Sequence, residues 1–280
     1  MDDRQEAATW QQTAWRGMRV IIFSLRPLIL YLTLPAVLMC VGMALGRGRH
    51  GESIVSTSGN FYYTMGIGAS CWLLYRRSKK RGSSLWEDAT LFWEGRDPRK
   101  LWRLWGAGLG CSLVFSAALT LLPLPEALIQ GYGSVSDGVG AGTDPWLAFL
   151  STMLLAPAVE EIVFRGYMLN RLLTGFKDQE AVWISSLAFA LCHVSLVWMI
   201  YAFAMGVFLA RVSLREDNIL YSAALHMGFN ASVLPLWILN EIGIFEQGWA
   251  GMCGKLTVGI GGGVLVYTLC RQYGKEKPYD

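Results

Sequence analysis

The sequence has little charge: only 16% of its 280 residues are Asp, Glu, Lys or Arg, whereas 53% are hydrophobic. So large an apolar excess is atypical of a soluble globular protein. The formal net charge of +3 is too small to indicate a nucleic-acid partner. The composition therefore predicts an all-α, polytopic membrane protein whose surroundings are the lipid bilayer.

Cysteine and histidine are also scarce. The six cysteines lie in apolar runs and form no CxxC pair, so we interpret them as buried small hydrophobes rather than disulfide or metal-binding residues. No HExxH motif is present. A cleavable signal peptide is not expected either, because residues 1–19 are polar and no small-residue cleavage site follows the first apolar run.

Long apolar runs, in contrast, are abundant. A membrane-spanning helix needs about 20 apolar residues. Eight segments are candidates, of which the second is short: Val20–Leu45, Asn60–Tyr75, Leu101–Leu122, Trp146–Leu169, Val182–Val194, Leu196–Val212, Ile219–Leu239 and Trp249–Cys270. The fifth and sixth segments both lie within the 31 residues of Val182–Val212, which leaves about 14 residues, or about 21 Å, for each helix. Since the hydrocarbon layer is about 30 Å thick, this hairpin is expected not to cross it fully.

The distribution of basic residues predicts the topology. If the N-terminus is cytoplasmic and the segments alternate, 20 of the 24 Lys and Arg residues lie on the cytoplasmic side. Both termini and the basic run Arg76–Arg81 are therefore predicted to be cytoplasmic. The aromatic and charged stretch Ser83–Trp105 is expected partly on the inner membrane face, and the Gly-rich stretch Ile129–Pro145 outside.

The chain divides by these features into three parts. Residues 1–145 hold the N-terminal membrane segments and the cytoplasmic basic loop. Residues 146–240 form a helical core, and residues 241–280 a final membrane helix with a cytoplasmic tail.

Polar residues inside the apolar segments are the strongest functional signal. A charge at the bilayer centre costs at least about 2.5 kcal/mol on insertion scales, so such residues are rare and usually partnered. Six polar residues lie deep within three of the segments: Glu160, Glu161, Arg165, His193, His226 and Asn230. At 1.5 Å per residue, Glu160 lies about 21 Å below the outer end of its segment, and His193 and Asn230 about 16 and 17 Å above the inner ends of theirs.

The spacing of these residues suggests how they are arranged. Glu161 and Arg165 are four residues apart and can pair on one helix face, whereas Glu160 points about 100° away. His226 and Asn230 share the same spacing, as do Phe189 and His193. Pro157 lacks a backbone N–H, which favours a kink just before the glutamates.

A carboxylate near two imidazoles and an amide suits hydrolysis, because the carboxylate can take a proton from water and the other groups can hold water or an oxyanion. Structural alternatives stay open. A Glu–Arg pair can act as a structural pin, a membrane histidine can join two helices, and proton-coupled transporters use the same residue types.

Three motifs carry a family resemblance: EEIVFR fits EExxxR, FALCH fits FxxxH, and HMGFN fits HxxxN. In this order, on apolar segments over Trp146–Leu239, they resemble the CPBP intramembrane endopeptidases. This family includes the type II CAAX prenyl endopeptidases, the lysostaphin-resistance-protein-A-like proteins and bacteriocin-immunity proteins. The resemblance implies eight or so membrane helices around a conical active-site cavity, in a bacterial inner membrane.

The resemblance also implies residue roles. Glu160 would activate water, His193 would position it, and His226 with Asn230 would bind the oxyanion. The supporting residues would be Glu161, Arg165 and Phe189. No cofactor is expected, although Glu160, His193 and His226 could alternatively bind zinc. The substrate would be a membrane-anchored protein or peptide, prenylated or not; a non-catalytic immunity or scaffold protein remains the other alternative.

Overall fold

The computed structural model describes residues 3–46, 53–122, 125, 150–193, 195–243 and 249–275. Every regular element in these ranges is helical, which confirms the all-α prediction. The helices are α1 (Asp3–Gly46), α2 (Ser53–Lys80), α3 (Leu85–Asp88), α4 (Pro98–Leu121), α5 (Ser151–Leu172), α6 (Asp178–Leu191), α7 (Leu196–Glu216), α8 (Ile219–Ala231), α9 (Val233–Glu241) and α10 (Trp249–Lys275). The predicted outer loop Ile129–Pro145 lies outside the described residues.

Four helical stretches among the described residues are long and apolar enough to cross a membrane. They are Ala14–Gly42, Leu196–Glu216, Ile219–Leu236 and Gly251–Tyr273. They lie in helices that begin or end near the predicted segments, and they identify an integral membrane protein. The count of eight spans stays a prediction.

The orientation of these helices is open to a direct test. Because the basic residues predict a cytoplasmic Ser83 and an external Gly138, reporter fusions at these two positions should give signals from opposite sides of the membrane. Gly138 lies outside the described residues, so this expectation rests on charge alone. Signals from the same side would rule out the eight-segment topology.

The short-hairpin prediction is wrong for one of its two helices. Helix α6 has 14 residues, as expected, but α7 has 21 and so extends about 32 Å. Helix α7 continues past Arg211 because its charged end is neutralised: the side chain of Glu216 is buried and accepts a hydrogen bond of 3.0 Å from Lys100 on α4 and one of 2.8 Å from Tyr273 on α10.

The seventh predicted segment is not one continuous helix. Helix α8 ends at Ala231 and α9 begins at Val233, with a turn at Ser232 between them. Pro235 explains the break, because a proline ring clashes with the carbonyl four residues earlier in a continuous helix, here that of Ala231. His226 and Asn230 consequently lie on the last two turns of α8.

Helix α8 packs closely against α4. A Cβ added at Gly108 of α4 would meet the carbonyl oxygen of Leu225, and one added at Gly228 of α8 would meet that of Trp105. Such close backbone contact between small residues is typical of membrane helices. Since Gly228 lies two residues after His226, this contact fixes the height of the histidine in the bundle.

A short surface segment connects α2 to the helix of the EExxxR motif. The Asp88 carboxylate of α3 accepts hydrogen bonds from Ser78 of α2 and from Arg81 in the turn after it, and the hydroxyls of Ser78 and Tyr167 of α5 are 2.6 Å apart. Partial burial raises the pKa of Asp88, but these hydrogen bonds and the Arg81 charge outweigh it and lower the pKa overall. The contact is therefore retained at neutral pH and lost only as the pH falls through the lowered pKa.

The expectation of buried cysteines is wrong: Cys40 and Cys253 are exposed, and the other four are half-buried. A cysteine of a membrane helix need not be buried in the protein, because a small apolar side chain can face lipid at no desolvation cost.

Candidate active site

The central helix of the site, α5, is irregular on both sides of the two glutamates. Residues Ser151–Leu155 and Ile162–Leu169 are π-helical, whereas Ala156–Glu161 between them is α-helical. Pro157 is the second residue of the α-helical part, so its missing N–H falls at the junction with the first π-helical turn. Wide π turns insert an extra residue and redirect side chains, and they are frequent at functional sites.

Glu161 and Arg165 form a fully buried ion pair beneath the cavity residues of the site. Arg165 Nη1 lies 3.0 Å from Glu161 Oε1, and the two side chains are 1% and 0% exposed. Arg165 Nη2 also donates to the carbonyl oxygen of Gly206 on α7, at 3.2 Å. The pair therefore connects α5 to α7.

His226 of α8 completes this buried group. Its Nδ1 lies 3.1 Å from Glu161 Oε1. Since an ionised carboxylate only accepts hydrogen bonds, Nδ1 carries the proton in this contact. The other ring nitrogen, Nε2, points to Glu160 and lies 3.7 Å from its Oε2 atom.

Glu160 lines a cavity whose lining includes neither Glu161 nor Arg165. This cavity has a volume of about 250 Å³, and its lining residues are Tyr31, Leu32, Pro35, Tyr63, Glu160, Phe164, Phe189, Cys192, His193 and Trp198. The Glu160 side chain is 16% exposed. A carboxylate at the wall of a mostly apolar cavity can contact water while most of its surroundings stay dry.

His193 lines the same cavity from the end of α6. Its Nδ1 lies 2.9 Å from the carbonyl oxygen of Phe189. A carbonyl cannot donate, so Nδ1 bears the proton and the neutral imidazole has its acceptor at Nε2. This tautomer lets His193 accept a hydrogen bond from a water molecule.

Phe189 connects the two histidines. Its ring makes edge contacts with His193 and His226, at centroid distances of 4.9 and 5.7 Å. The guanidinium carbon of Arg165 lies 4.5 Å from the Phe189 centroid, within the range of a cation–π interaction. Replacing this ring would therefore disturb three polar side chains together.

Asn230 lies one turn beyond His226 but is not among the residues that line the cavity. Its amide nitrogen donates to the carbonyl oxygen of Thr152 on α5, at 2.9 Å. That carbonyl lies in the first π-helical turn of α5. The contact ties α8 to α5, and an amide nitrogen retains a second N–H for another acceptor.

The charges of the four contacting groups do not cancel without an additional proton. Glu160 and Glu161 carry two negative charges and Arg165 one positive charge. Uncompensated charge is costly in a buried setting. One additional proton in this group would make it neutral; Glu160 Oε2 and His226 Nε2 are 3.7 Å apart, too far for a direct hydrogen bond but close enough for one water molecule to contact both.

Glu160, His193 and His226, the zinc ligands of the alternative interpretation, are not grouped together in the described structure. Among the described residues, no set of three His, Cys, Asp or Glu side chains is close enough together to hold a metal ion. Glu160 and His226 face each other, but His193 approaches the cavity separately.

Two tyrosines of the site were not predicted from the sequence. Tyr31 of α1 donates a hydrogen bond of 2.7 Å to Glu160 Oε1, and the Tyr63 hydroxyl of α2 lies 3.5 Å from that of Tyr31. Both line the cavity. A tyrosine in an apolar run is too common to indicate a site, and only the packing of α1 and α2 against α5 brings these two to Glu160.

Apolar helices around a cavity with a buried Glu–Arg–His group define a membrane protein with a polar intramembrane site. Residues 142–232 match the family described as "Rce1-like: Type II CAAX prenyl endopeptidase Rce1-like". The match covers about a third of the chain, includes all three motifs, and supports the family resemblance drawn from them. The family implies a protease that acts in a membrane on a protein substrate.

No curated protein and no solved structure matches the chain. The match also leaves out α1 and α2, which supply Tyr31 and Tyr63.

Proposed function

We propose that this chain is an intramembrane endopeptidase in which Glu160 activates water to cleave a membrane-associated protein or peptide. The observation that carries the proposal is the position of Glu160: its carboxylate lies in a cavity with His193, while Oε2 faces His226 at 3.7 Å. The reaction would be CAAX-type processing or the processing of a C-terminal segment or precursor. The proposed location is the bacterial inner membrane with cytoplasmic termini.

The first step of the proposed mechanism begins with an ionised Glu160 and a protonated His226. Water in the cavity donates one hydrogen bond to His193 Nε2 and its other proton to Glu160 as its oxygen attacks the scissile carbonyl carbon. General-base assistance of this kind contributes about 10²–10⁴-fold. The Glu161 carboxylate supports the protonated form of His226 from its Nδ1 side.

The second step breaks the peptide bond. The oxyanion on the former carbonyl oxygen accepts a hydrogen bond from His226 Nε2–H and a second from the remaining N–H of Asn230. As the intermediate collapses, the C–N bond breaks and the proton on Glu160 moves to the leaving amine. Glu160 is then ionised again, and the products are a carboxylic acid and an amine.

Cleavage in detergent tests this proposal against a proton-coupled transporter. The purified protein is incubated in detergent with two fluorescent probes, a farnesylated CAAX-type peptide and an unprenylated peptide with one apolar membrane anchor. A protease needs no closed membrane, so we expect cleavage of at least one probe at a single bond, seen by mass spectrometry. If neither probe is cut and proteoliposomes show proton-coupled flux, the transporter alternative is correct.

The same assay decides the metal question. Because the proposed base is a carboxylate acting on uncoordinated water, EDTA or 1,10-phenanthroline is expected to leave the cleavage rate unchanged. Metal analysis of the purified protein provides the control. Stoichiometric zinc, with activity lost on its removal and restored on its return, would contradict a metal-free mechanism.

A further inference from the structure

The Glu160 carboxylate has a hydrogen-bond donor from outside the matched segment. Tyr31 Oη lies 2.7 Å from Glu160 Oε1, and an ionised carboxylate cannot donate, so the tyrosine proton points to Glu160. Tyr31 is almost fully buried, at 6% exposure. Its bond occupies Oε1 and leaves Oε2, which faces His226.

A second hydroxyl stands behind the first. Tyr63 Oη lies 3.5 Å from Tyr31 Oη. Since the single Tyr31 proton is used toward Glu160, a hydrogen bond between the two tyrosines must run from Tyr63 to Tyr31. The direction of the chain is therefore Tyr63 to Tyr31 to Glu160.

The packing of α1 against α2 holds this chain in place. A Cβ added at Gly66 would meet the backbone of Pro35, so the two helices touch one turn beyond Tyr63 and Tyr31. Ser70 Oγ of α2 donates to the Leu30 carbonyl oxygen of α1, at 3.2 Å. The Tyr31 ring also makes an edge contact with Phe164 of α5, with centroids 6.4 Å apart.

We propose that Tyr31 is a positioning residue that orients the Glu160 carboxylate, and that Tyr63 acts on Glu160 only through Tyr31. The proposal rests on the proposed function, because it assigns these hydroxyls to the base of that reaction. Without the Tyr31 bond, the carboxylate can rotate away from the water it must deprotonate. A displacement of about 1 Å in a catalytic geometry can cost about 100-fold in rate.

The test compares Tyr31→Phe, Tyr63→Phe and the double variant in the detergent cleavage assay. Phenylalanine keeps the ring contacts and removes only the hydroxyl. For Tyr31→Phe we expect kcat to fall roughly 10- to 100-fold with KM unchanged. Tyr63→Phe should have a smaller effect, and the double variant should equal Tyr31→Phe, because a residue that acts through another adds nothing once that residue is removed.

Tyr62→Phe is the matched control, since Tyr62 neighbours Tyr63 on α2 but does not line the cavity; it should keep wild-type kcat. Wild-type kcat in Tyr31→Phe, or a double variant whose loss is the product of both single losses, would overturn the inference. Should Tyr31→Phe not accumulate in the membrane, an unchanged kcat in Tyr63→Phe would overturn it instead. If Glu160→Gln is inactive while Tyr31→Phe is normal, only this inference fails; if Glu160→Gln is active, the proposed function fails.

Discussion

Cleavage is expected to fall by about 10²–10⁴-fold when Glu160 is replaced by glutamine, the contribution typical of a general base. Glutamine keeps the length of the side chain, and its amide oxygen can still accept the hydrogen bond from Tyr31. The variant should therefore fold and insert normally. It lacks the negative charge and the basicity with which the carboxylate takes a proton from water.

Glu160→Asp tests whether the position of the carboxylate matters, because this variant keeps a carboxylate but moves it. Aspartate is ionised, but its carboxylate is retracted by one methylene and cannot keep both the Tyr31 contact of 2.7 Å and the approach to His226 of 3.7 Å. A large loss is expected here as well, because catalytic groups tolerate little displacement. Glu94→Gln is the matched control, since Glu94 is exposed on the segment before α4.

Both variants are measured in the detergent assay and in membranes, where an uncut substrate should accumulate. Protein amounts in the membrane are compared with those of the wild type and of Glu94→Gln. Wild-type cleavage by well-expressed Glu160→Gln would end the assignment of Glu160 as the base. Unaltered processing in cells would then favour the transporter or the non-catalytic scaffold.

The local part of the site was predictable because helical spacing determines it. A separation of four residues places Glu161 beside Arg165, and no tertiary information is needed for that contact. The cost of charge inside a membrane also marked Glu160, Glu161 and Arg165 as partnered residues. The fold class was predictable from composition. A chain this apolar belongs in lipid, where only helices or closed barrels satisfy the backbone hydrogen bonds.

The remaining contacts depend on how distant helices pack. Tyr31 is 129 positions from Glu160, and nothing in the local sequence of α1 marks this tyrosine as a partner. The oxyanion role of Asn230 stays a prediction, but its contact with Thr152 could not be foreseen, because depth along a helix does not give rotation. The length of the apolar run likewise underestimated the length of α7. The run ends before the charged residues, and it does not show that Glu216 pairs with Lys100.

The buried pair of Glu161 and Arg165 should contribute to folding and to catalysis in separable ways. Replacing one partner of a buried ion pair costs about 3–5 kcal/mol, because the other charge remains without compensation. The total stability of a domain is about 5–15 kcal/mol. Glu161→Gln and Arg165→Gln are therefore each expected to accumulate poorly and to unfold at a lower temperature than the wild type.

The double variant Glu161→Gln, Arg165→Gln distinguishes the two contributions. It leaves neither charge of the pair uncompensated, so most of the lost thermal stability should return, with a strong coupling between the two sites. Cleavage should stay low by about 10²-fold or more, because His226 Nδ1 has lost its carboxylate; in serine proteases the carboxylate that orients the histidine contributes about 10⁴-fold. Thermal unfolding is followed by tryptophan fluorescence in detergent, and cleavage in the same preparations.

Lys100→Gln provides the matched control, because Lys100 and Glu216 form a second buried pair at 3.0 Å that does not line the cavity. It should lower the unfolding temperature, as the single variants of α5 do, while the folded fraction keeps wild-type kcat. If the Glu161, Arg165 double variant regains cleavage together with stability, the pair is a structural pin and His226 does not need Glu161. If Glu161→Gln alone is as stable and active as the wild type, the pair has neither role, and the neutral charge balance of the four contacting groups is not required for the reaction.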